Sequence, residues 1–197
     1  MATIIKSQAV EVQVPNDTLS VHPQKFMLWL GIASILMMFA GWTSGYLVRK
    51  AEGNWQEFDM PKIFWYSTAV LLISSIFMHI SVRAAKKDNF SLLKTTISIT
   101  FVMGIAFLVM QLMGFYQLVE QKLFFVGNPS VSFFDVFIFI HGVHVISGLI
   151  VLCFAFVAAW KMNIHAKKTA QIEMSAIYWH FLDGLWLYLF AFLLYNN

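Results

Sequence analysis

The sequence predicts an all-α integral membrane protein, a bundle of five transmembrane helices. Of its 197 residues 59% are hydrophobic and 12% are charged, whereas a soluble domain is about 25% charged. The mean hydropathy is +0.71. Apolar runs of about 20 residues, the length that crosses a bilayer, recur between clusters of charged or turn-forming residues. These observations exclude a soluble enzyme domain.

The runs divide the chain into a polar tail over residues 1–24 and one transmembrane domain over residues 25–197. The predicted helices span 26–48, 62–82, 92–116, 133–160 and 174–195. Ser132 and Asp135 stand three apart at the start of the fourth run, the spacing of a capping box. We therefore expect them to cap that helix.

Basic residues flank the hydrophobic runs instead of forming one surface, so they indicate topology and not nucleic-acid binding. The larger group lies on the N-terminal side of the membrane: Lys6, Lys25, Arg83, Lys86, Lys87, Lys94, Lys161, Lys167 and Lys168. The smaller group lies on the other side: Arg49, Lys50, Lys62 and Lys122. The positive-inside rule then predicts a cytoplasmic N-terminus and a periplasmic C-terminus.

Several polar side chains interrupt the apolar runs. His180 and Asp183 are three residues apart and so share a helix face, and an ionisable group near a bilayer centre costs about 2.5–3.5 kcal/mol unless it faces protein. The predicted buried polar set is Gln111, His141, His144, Glu173, His180 and Asp183. Counted from the ends of their predicted helices at about 1.5 Å per residue, His144 and Asp183 lie at similar depth in the bilayer. We expect His141 or His144 to contact Asp183, with Gln111 as a further partner, as structural hydrogen bonds between helices.

Small residues indicate close helix packing. Gly41 and Gly45 form a GxxxG pair in the first helix, and Gly142 and Gly148 lie in the fourth. The single cysteine, Cys153, excludes a disulfide framework and a thiolate metal site.

Three chemical interpretations of the polar residues compete with the structural one. A haem b between His144 and His180 would make the chain a membrane anchor for quinone chemistry. A non-haem metal on His141, His144 and Asp183 is the second. The third is a small proton-coupled transporter with a path through Glu173, His180, Asp183 and His144.

Two motifs carry a family resemblance. They are Tyr178-Trp179-His180-Phe181-Leu182-Asp183, preceded by Glu173, and His141-Gly142-Val143-His144-Val145-Ile146-Ser147-Gly148-Leu149-Ile150. In this order they resemble the last and penultimate helices of subunit III of the haem–copper oxidases, the cytochrome c oxidase subunit III family. The resemblance covers Lys25 to Tyr195.

The sequence departs from that family in three respects. It resembles the short type, which lacks the first two of seven helices. Ile35 stands after Ala33-Ser34, where many members have a buried glutamate, and Gly114 stands where an acidic residue is common. No role of either carboxylate is therefore transferred to this chain.

The resemblance implies a non-catalytic subunit with no haem, copper or other metal of its own. It implies direct packing against subunit I, a complex with subunit II and other small subunits, bound phospholipid, and support of proton uptake. The whole complex would reduce O2 to water and translocate protons across a bacterial inner membrane. An accessory subunit of a quinol oxidase or of nitric oxide reductase is the alternative within this resemblance.

Overall fold

The structure is a computed structural model that describes residues 23–53, 55, 60–120, 129–160 and 169–196. Five α-helices make up nearly all of this part, and by length and composition all five can cross a membrane. They are α1 (Pro23–Ala51), α2 (Ile63–Lys86), α3 (Phe90–Glu120), α4 (Pro129–Trp160) and α5 (Ala170–Asn196). The predicted five-helix membrane fold is confirmed. Residues 1–22 of the predicted tail lie outside the described residues.

The fourth helix starts earlier than predicted. Pro129 is its first residue, a position where proline fits because the first turn needs no N–H from it. Ser132 and Asp135 consequently lie inside α4, and Asp135 is only 6% exposed. The predicted capping box is thus wrong, since the helix has already begun where it was expected to be capped.

A tight turn joins α2 to α3. Asp88 adopts a left-handed φ of 51°, a conformation that Asp and Asn tolerate better than most residues. Asn89 then accepts a hydrogen bond at its side-chain oxygen from the N–H of Leu92 at 3.2 Å, which caps the start of α3.

Successive helices run in opposite directions. Lys25 near the start of α1 and Lys86 at the end of α2 both meet Glu173 at the start of α5. At the other end, Lys50 of α1 bonds the carbonyl of Asn196 in α5. We call these two ends of the bundle the Glu173 end and the Asn196 end.

Four helices form a ring and the fifth is attached outside it. The neighbours around the ring are α2 and α3, α3 and α4, α4 and α5, and α5 and α2, while α1 packs against α4 and α5. Only four of the 29 residues of α1 are buried. Most of the α1 surface therefore faces outward.

Two tryptophans of α5 fill the centre of the ring. The Trp186 ring lies 5.4 Å from Phe107 of α3, 5.2 Å from His141 of α4 and 6.3 Å from Phe64 of α2, measured between ring centroids. Trp179 is 1% exposed and packs in the second half of the core, among Met78, Ile97 and Leu152. Trp186 of α5 thus contacts all three other helices of the ring.

Glycines create the space for these rings. A Cβ built on Gly104 would lie 2.6 Å from the Trp179 ring, and one on Gly114 would lie 2.6 Å from Phe64. The four glycines that the sequence predicts at helix contacts differ in how closely a neighbouring side chain approaches them. A Cβ on Gly148 would lie 2.7 Å from Leu182 and one on Gly45 would lie 3.9 Å from Phe133. At Gly41 and Gly142 it would meet no described atom within 4 Å, so neither glycine packs closely against another helix within the described residues.

Polar contacts hold α1 at both ends. Glu173 forms ion pairs with Lys25 at 3.3 Å and with Lys86 at 3.1 Å, which joins α1 and α2 to α5. At the Asn196 end, the Tyr46 hydroxyl donates to the Asn196 carbonyl at 2.9 Å, and Lys50 bonds the same oxygen. With few buried residues in α1, these contacts fix its position on the ring.

We expect Gly104→Ala to destabilise the bundle by about 1–3 kcal/mol, the usual cost of overpacking a filled core. Trp179 cannot move aside freely, because its indole N–H is bonded to Ser74. The free energy of unfolding in mixed detergent micelles measures the effect. Gly31→Ala is the control, since a Cβ there meets nothing within 4 Å and alanine favours the helix by about 1 kcal/mol. Equal losses for the two variants would contradict this account.

We expect Glu173→Gln to loosen α1 at the Glu173 end, because the amide cannot form an ion pair with Lys25 or Lys86. Spin labels at the exposed positions Met27 and Leu92, in a Cys153→Ser background, should show a broader distance distribution between α1 and α3.

Glu52→Gln is the matched control for this measurement. Glu52 pairs with Arg49 at 2.5 Å within the same segment of chain, so its loss should leave the distribution unchanged. An unchanged distribution in Glu173→Gln would show that the ion pairs do not position α1.

Candidate functional site

The α2 helix carries five hydroxyl side chains that face its neighbours. Ser67, Ser74 and Ser81 are seven residues apart, and Thr68 and Ser75 repeat the same interval. Since seven residues are almost two full turns of an α-helix, these side chains line one side of α2. We call these five residues the hydroxyl ladder.

The hydroxyl ladder receives hydrogen bonds from two neighbouring helices. From α3, Gln111 Nε2 donates to Ser67 Oγ at 3.1 Å and Thr96 Oγ1 donates to Ser81 Oγ at 3.2 Å. From α5, the indole N–H of Trp186 donates to Thr68 Oγ1 at 2.9 Å. The indole N–H of Trp179 donates to Ser74 Oγ at 3.2 Å.

Three of the ladder hydroxyls donate within α2. Ser67 and Thr68 both donate to the Phe64 carbonyl of their own helix, at 3.0 and 2.7 Å, and Ser81 donates to the Phe77 carbonyl at 3.3 Å. Each of these hydroxyls therefore uses its proton within α2 and offers its oxygen lone pairs to a neighbour.

Ser75, His180 and Asp183 form a polar cluster between α2 and α5. The Ser75 hydroxyl lies 2.7 Å from His180 Nδ1, and the Asp183 carboxyl lies beside them without a hydrogen bond in the described part of the chain. His180 Nδ1 is 3.9 Å from Asp183 Oδ2, too far for a direct hydrogen bond. The His79 ring of α2 lies 6.3 Å from the His180 ring. A serine of the hydroxyl ladder is thus bonded to the imidazole, and the buried carboxyl group lies close to both.

The polar cluster borders an open groove between α1 and α5. This groove has a volume of about 430 Å³, and His180, Gly184 and Tyr188 of α5 lie opposite Leu36 and Ala40 of α1. The His180 side chain is 35% exposed, whereas Asp183 is buried. His180 is therefore the member of the cluster that a molecule in the groove can reach.

His141 lies apart from this cluster. It is 1% exposed and is enclosed by aromatic rings, with the Trp186 ring 5.2 Å and the Phe107 ring 6.2 Å away. Neither ring nitrogen forms a hydrogen bond within the described part of the chain. His141 therefore packs as an aromatic side chain at the centre of the ring.

The expected contact between Asp183 and the histidines of α4 is not formed. His144 Nδ1 lies 2.8 Å from the Ile140 carbonyl of its own helix, and its ring packs 5.8 Å from Phe39 of α1. Gln111 is bonded to Ser67 instead. The reason is rotation about the helix axes: Asp183 faces α2, while His144 faces α1.

The six predicted polar residues are therefore distributed over four places. His180 and Asp183 meet at Ser75, Gln111 and His141 lie in the ring core, and His144 faces α1. Glu173 joins three helices at one end of the bundle. Within the described ranges, no three His, Cys, Asp or Glu side chains are grouped as metal ligands.

The sequence analysis did not identify the hydroxyl ladder as a set. The sequence feature that indicates it is the seven-residue repeat of Ser and Thr in α2. Hydroxyl side chains are easily overlooked in a membrane helix, because each can bond to a carbonyl of its own helix and so needs no outside partner.

Comparisons with known proteins agree with the two helix motifs. Residues 53–197 match the family described as cytochrome c oxidase subunit III. A probable cytochrome c oxidase subunit 3 of Nocardia farcinica is 36% identical over 172 residues, which cover 84% of this chain and 83% of the relative. Subunit 3 of the cytochrome bo(3) ubiquinol oxidase of Buchnera aphidicola subsp. Acyrthosiphon pisum is 28% identical over 190 residues, 92% of this chain and 91% of the relative.

A third relative is cytochrome c oxidase subunit 3 of Bacillus sp. (strain PS3), 26% identical over 181 residues, which cover 89% of this chain and 87% of the relative. The relatives thus include subunits of oxidases named for cytochrome c and for ubiquinol. The predicted family is confirmed by this match over most of the chain. The chain belongs to the cytochrome c oxidase subunit III family and is an accessory subunit III of a haem–copper oxidase.

Proposed function

We propose that this subunit is non-catalytic and packs directly against subunit I, which carries the haems and copper, in a complex with subunit II and other small subunits. In this proposal it lies in a bacterial inner membrane with its N-terminus in the cytoplasm. It holds no redox cofactor of its own, and it stabilises subunit I and supports proton uptake.

One observation carries this proposal: polar side chains of α2, α3 and α5 are engaged in hydrogen bonds that hold these helices together. Gln111 and both core tryptophans donate to the hydroxyl ladder, and His180 is bonded to Ser75. His144, a ligand in two of the competing metal interpretations, is bonded to its own helix.

We also propose that phospholipid occupies the groove between α1 and α5. The groove walls are apolar except for His180 and the Tyr188 hydroxyl. Its volume of about 430 Å³ suits an acyl chain, and Gly184 leaves its floor open, because a Cβ there would meet nothing within 4 Å. An acyl chain along this wall would lie between α1 and the ring.

We expect His180→Ala and Asp183→Ala to weaken assembly without removing haem. His180→Ala removes the hydrogen-bond partner of Ser75, which costs about 1–3 kcal/mol, and Asp183→Ala removes a buried side chain that packs beside them. Less of the variant chain should copurify with the oxidase, or the oxidase should inactivate faster during turnover. The visible haem spectrum of the complex should stay unchanged.

His79→Ala is the matched control, since it removes an exposed imidazole of the neighbouring helix. The His79→Ala chain should copurify with the oxidase to the same extent as the unmodified chain, and the oxidase should inactivate at the same rate. Loss of haem from an otherwise intact complex in His180→Ala would contradict the proposal and favour an axial-ligand role for this histidine.

We expect Gly184→Phe to displace lipid from the groove, because the new ring would occupy the open floor. Native mass spectrometry of the complex should show at least one phospholipid fewer per chain. Gly41→Phe is the same change at another open glycine that does not line the groove, and it should retain the lipid. Equal lipid content in both variants would disprove this lipid site.

A further inference from the structure

The imidazole of His180 has one ring nitrogen that the helix contacts do not use. Its Nδ1 lies 2.7 Å from the Ser75 hydroxyl, whereas its Nε2 forms no hydrogen bond within the described part of the chain. Unlike the nitrogens of His141, this Nε2 is not enclosed, and the His180 side chain is 35% exposed and lines the groove between α1 and α5. A ligand in that groove can therefore form a hydrogen bond with His180 Nε2.

The proton of the Ser75 hydroxyl decides whether this nitrogen donates or accepts. Three other hydroxyls of the hydroxyl ladder donate to carbonyl groups of their own helix, but among the described residues the Ser75 hydroxyl is bonded to His180 Nδ1 alone. The Asp183 oxygens beside it take part in no hydrogen bond there. Ser75 therefore donates to Nδ1, which leaves the imidazole proton on Nε2. The groove thus presents a hydrogen-bond donor, and its ligand needs an acceptor.

The depth of His180 in the bilayer limits what this ligand can be. The α5 helix has 27 residues, about 40 Å at 1.5 Å per residue, while the hydrocarbon layer is about 30 Å thick. With α5 centred in that layer, His180 lies about 15 Å from the first residue of the helix and so about 10 Å inside the hydrocarbon. Phospholipid headgroups lie outside the hydrocarbon, and acyl chains carry no acceptor. The acceptor therefore belongs to a molecule whose polar group itself lies within the hydrocarbon.

The walls of the groove suit a planar ring. Phe39 of α1 and Phe181 and Tyr188 of α5 contribute three aromatic side chains, on which a ring can pack face to face or edge to face. Gly184 lies one turn after His180 on the same face of α5, and a Cβ there would meet nothing within 4 Å. A flat ring can therefore lie beside the imidazole. The volume of about 430 Å³ is within the range of about 300–1,000 Å³ found for small-molecule sites.

We propose that the groove between α1 and α5 binds a quinone, one ring carbonyl of which accepts a hydrogen bond from His180 Nε2. A quinone combines a planar ring and carbonyl acceptors with a hydrocarbon tail, and it dissolves within the hydrocarbon layer, so its acceptor reaches the depth of this donor. It competes with the phospholipid proposed above, because both lie against the same wall. The inference goes beyond the proposed function, since assembly with subunit I needs no quinone and no electron transfer by this chain is implied.

Photolabelling of the intact oxidase complex in lipid nanodiscs tests this site. The probe is a benzoquinone with an azido group on its ring and a decyl tail. After irradiation we expect an adduct on this chain at residues 178–188 of α5 or residues 36–40 of α1, identified by mass spectrometry. An excess of unlabelled decylbenzoquinone should abolish the adduct, and the same excess of oleic acid should not.

Two results of this experiment would overturn the quinone site. Equal suppression by oleic acid would show a site for an acyl chain alone. An adduct that unlabelled quinone does not suppress, or no adduct at these residues, would show that the probe does not bind in the groove.

A pair of substitutions at His180 tests the donor. His180→Gln keeps an N–H donor and should retain at least half of the labelling, whereas His180→Phe keeps a ring without a donor and should lower the labelling at least about fivefold. His79→Phe is the matched control, because it makes the same change at the neighbouring imidazole, which is not part of the groove wall, and it should leave the labelling unchanged. Equal labelling of His180→Gln and His180→Phe would overturn the role of His180.

The labelling is counted per chain in complexes that retain the haem spectrum. A variant that loses haem or fails to copurify therefore does not enter the comparison. A complex with intact haem and no labelled groove refutes the quinone site and leaves the proposed function standing.

Discussion

The hydrogen bonds that α3 and α5 donate to the hydroxyl ladder of α2 are the interactions on which the bundle depends. Within a bilayer no water competes for the indole of Trp186 or the amide of Gln111, so each needs a partner inside the protein. A serine or threonine supplies that partner at little cost in volume, and it keeps the apolar packing close. The ladder therefore fixes the rotation of α3 and α5 about their own axes, which decides where every other side chain points.

This constraint explains why the polar residues of the two family motifs do not converge. The α5 helix is rotated so that Trp179 and Trp186 donate to α2, and Asp183 is brought to the same side, beside Ser75. His141 fills aromatic space in the ring core, and His144 is turned toward α1. The polar residues of the two motifs are therefore dispersed among separate helix contacts.

The arrangement also separates the inside of the ring from its surfaces. The donors of Gln111, Trp179 and Trp186 are satisfied inside the ring, whereas an outer groove between α3 and α4 is lined mainly by apolar side chains. On the other side, α1 is held mainly by contacts at its ends and leaves a groove beside His180. The groove beside α1 presents an imidazole, whereas the groove between α3 and α4 is almost entirely apolar.

The sequence by itself determined the membrane class, the number of helices and the family. Hydrophobic length is a local property of the chain, and the motifs around His141 and His180 can be read without knowing what they contact. The tertiary structure alone decided the partners. His144 and Asp183 have similar depth along the chain, but depth does not specify the rotation of a helix, and Asp183 faces α2. Asp135 has the spacing of a cap, yet α4 begins at Pro129 and places it inside the helix. Partners depend on how the helices are rotated and packed, and that follows from all of their contacts together.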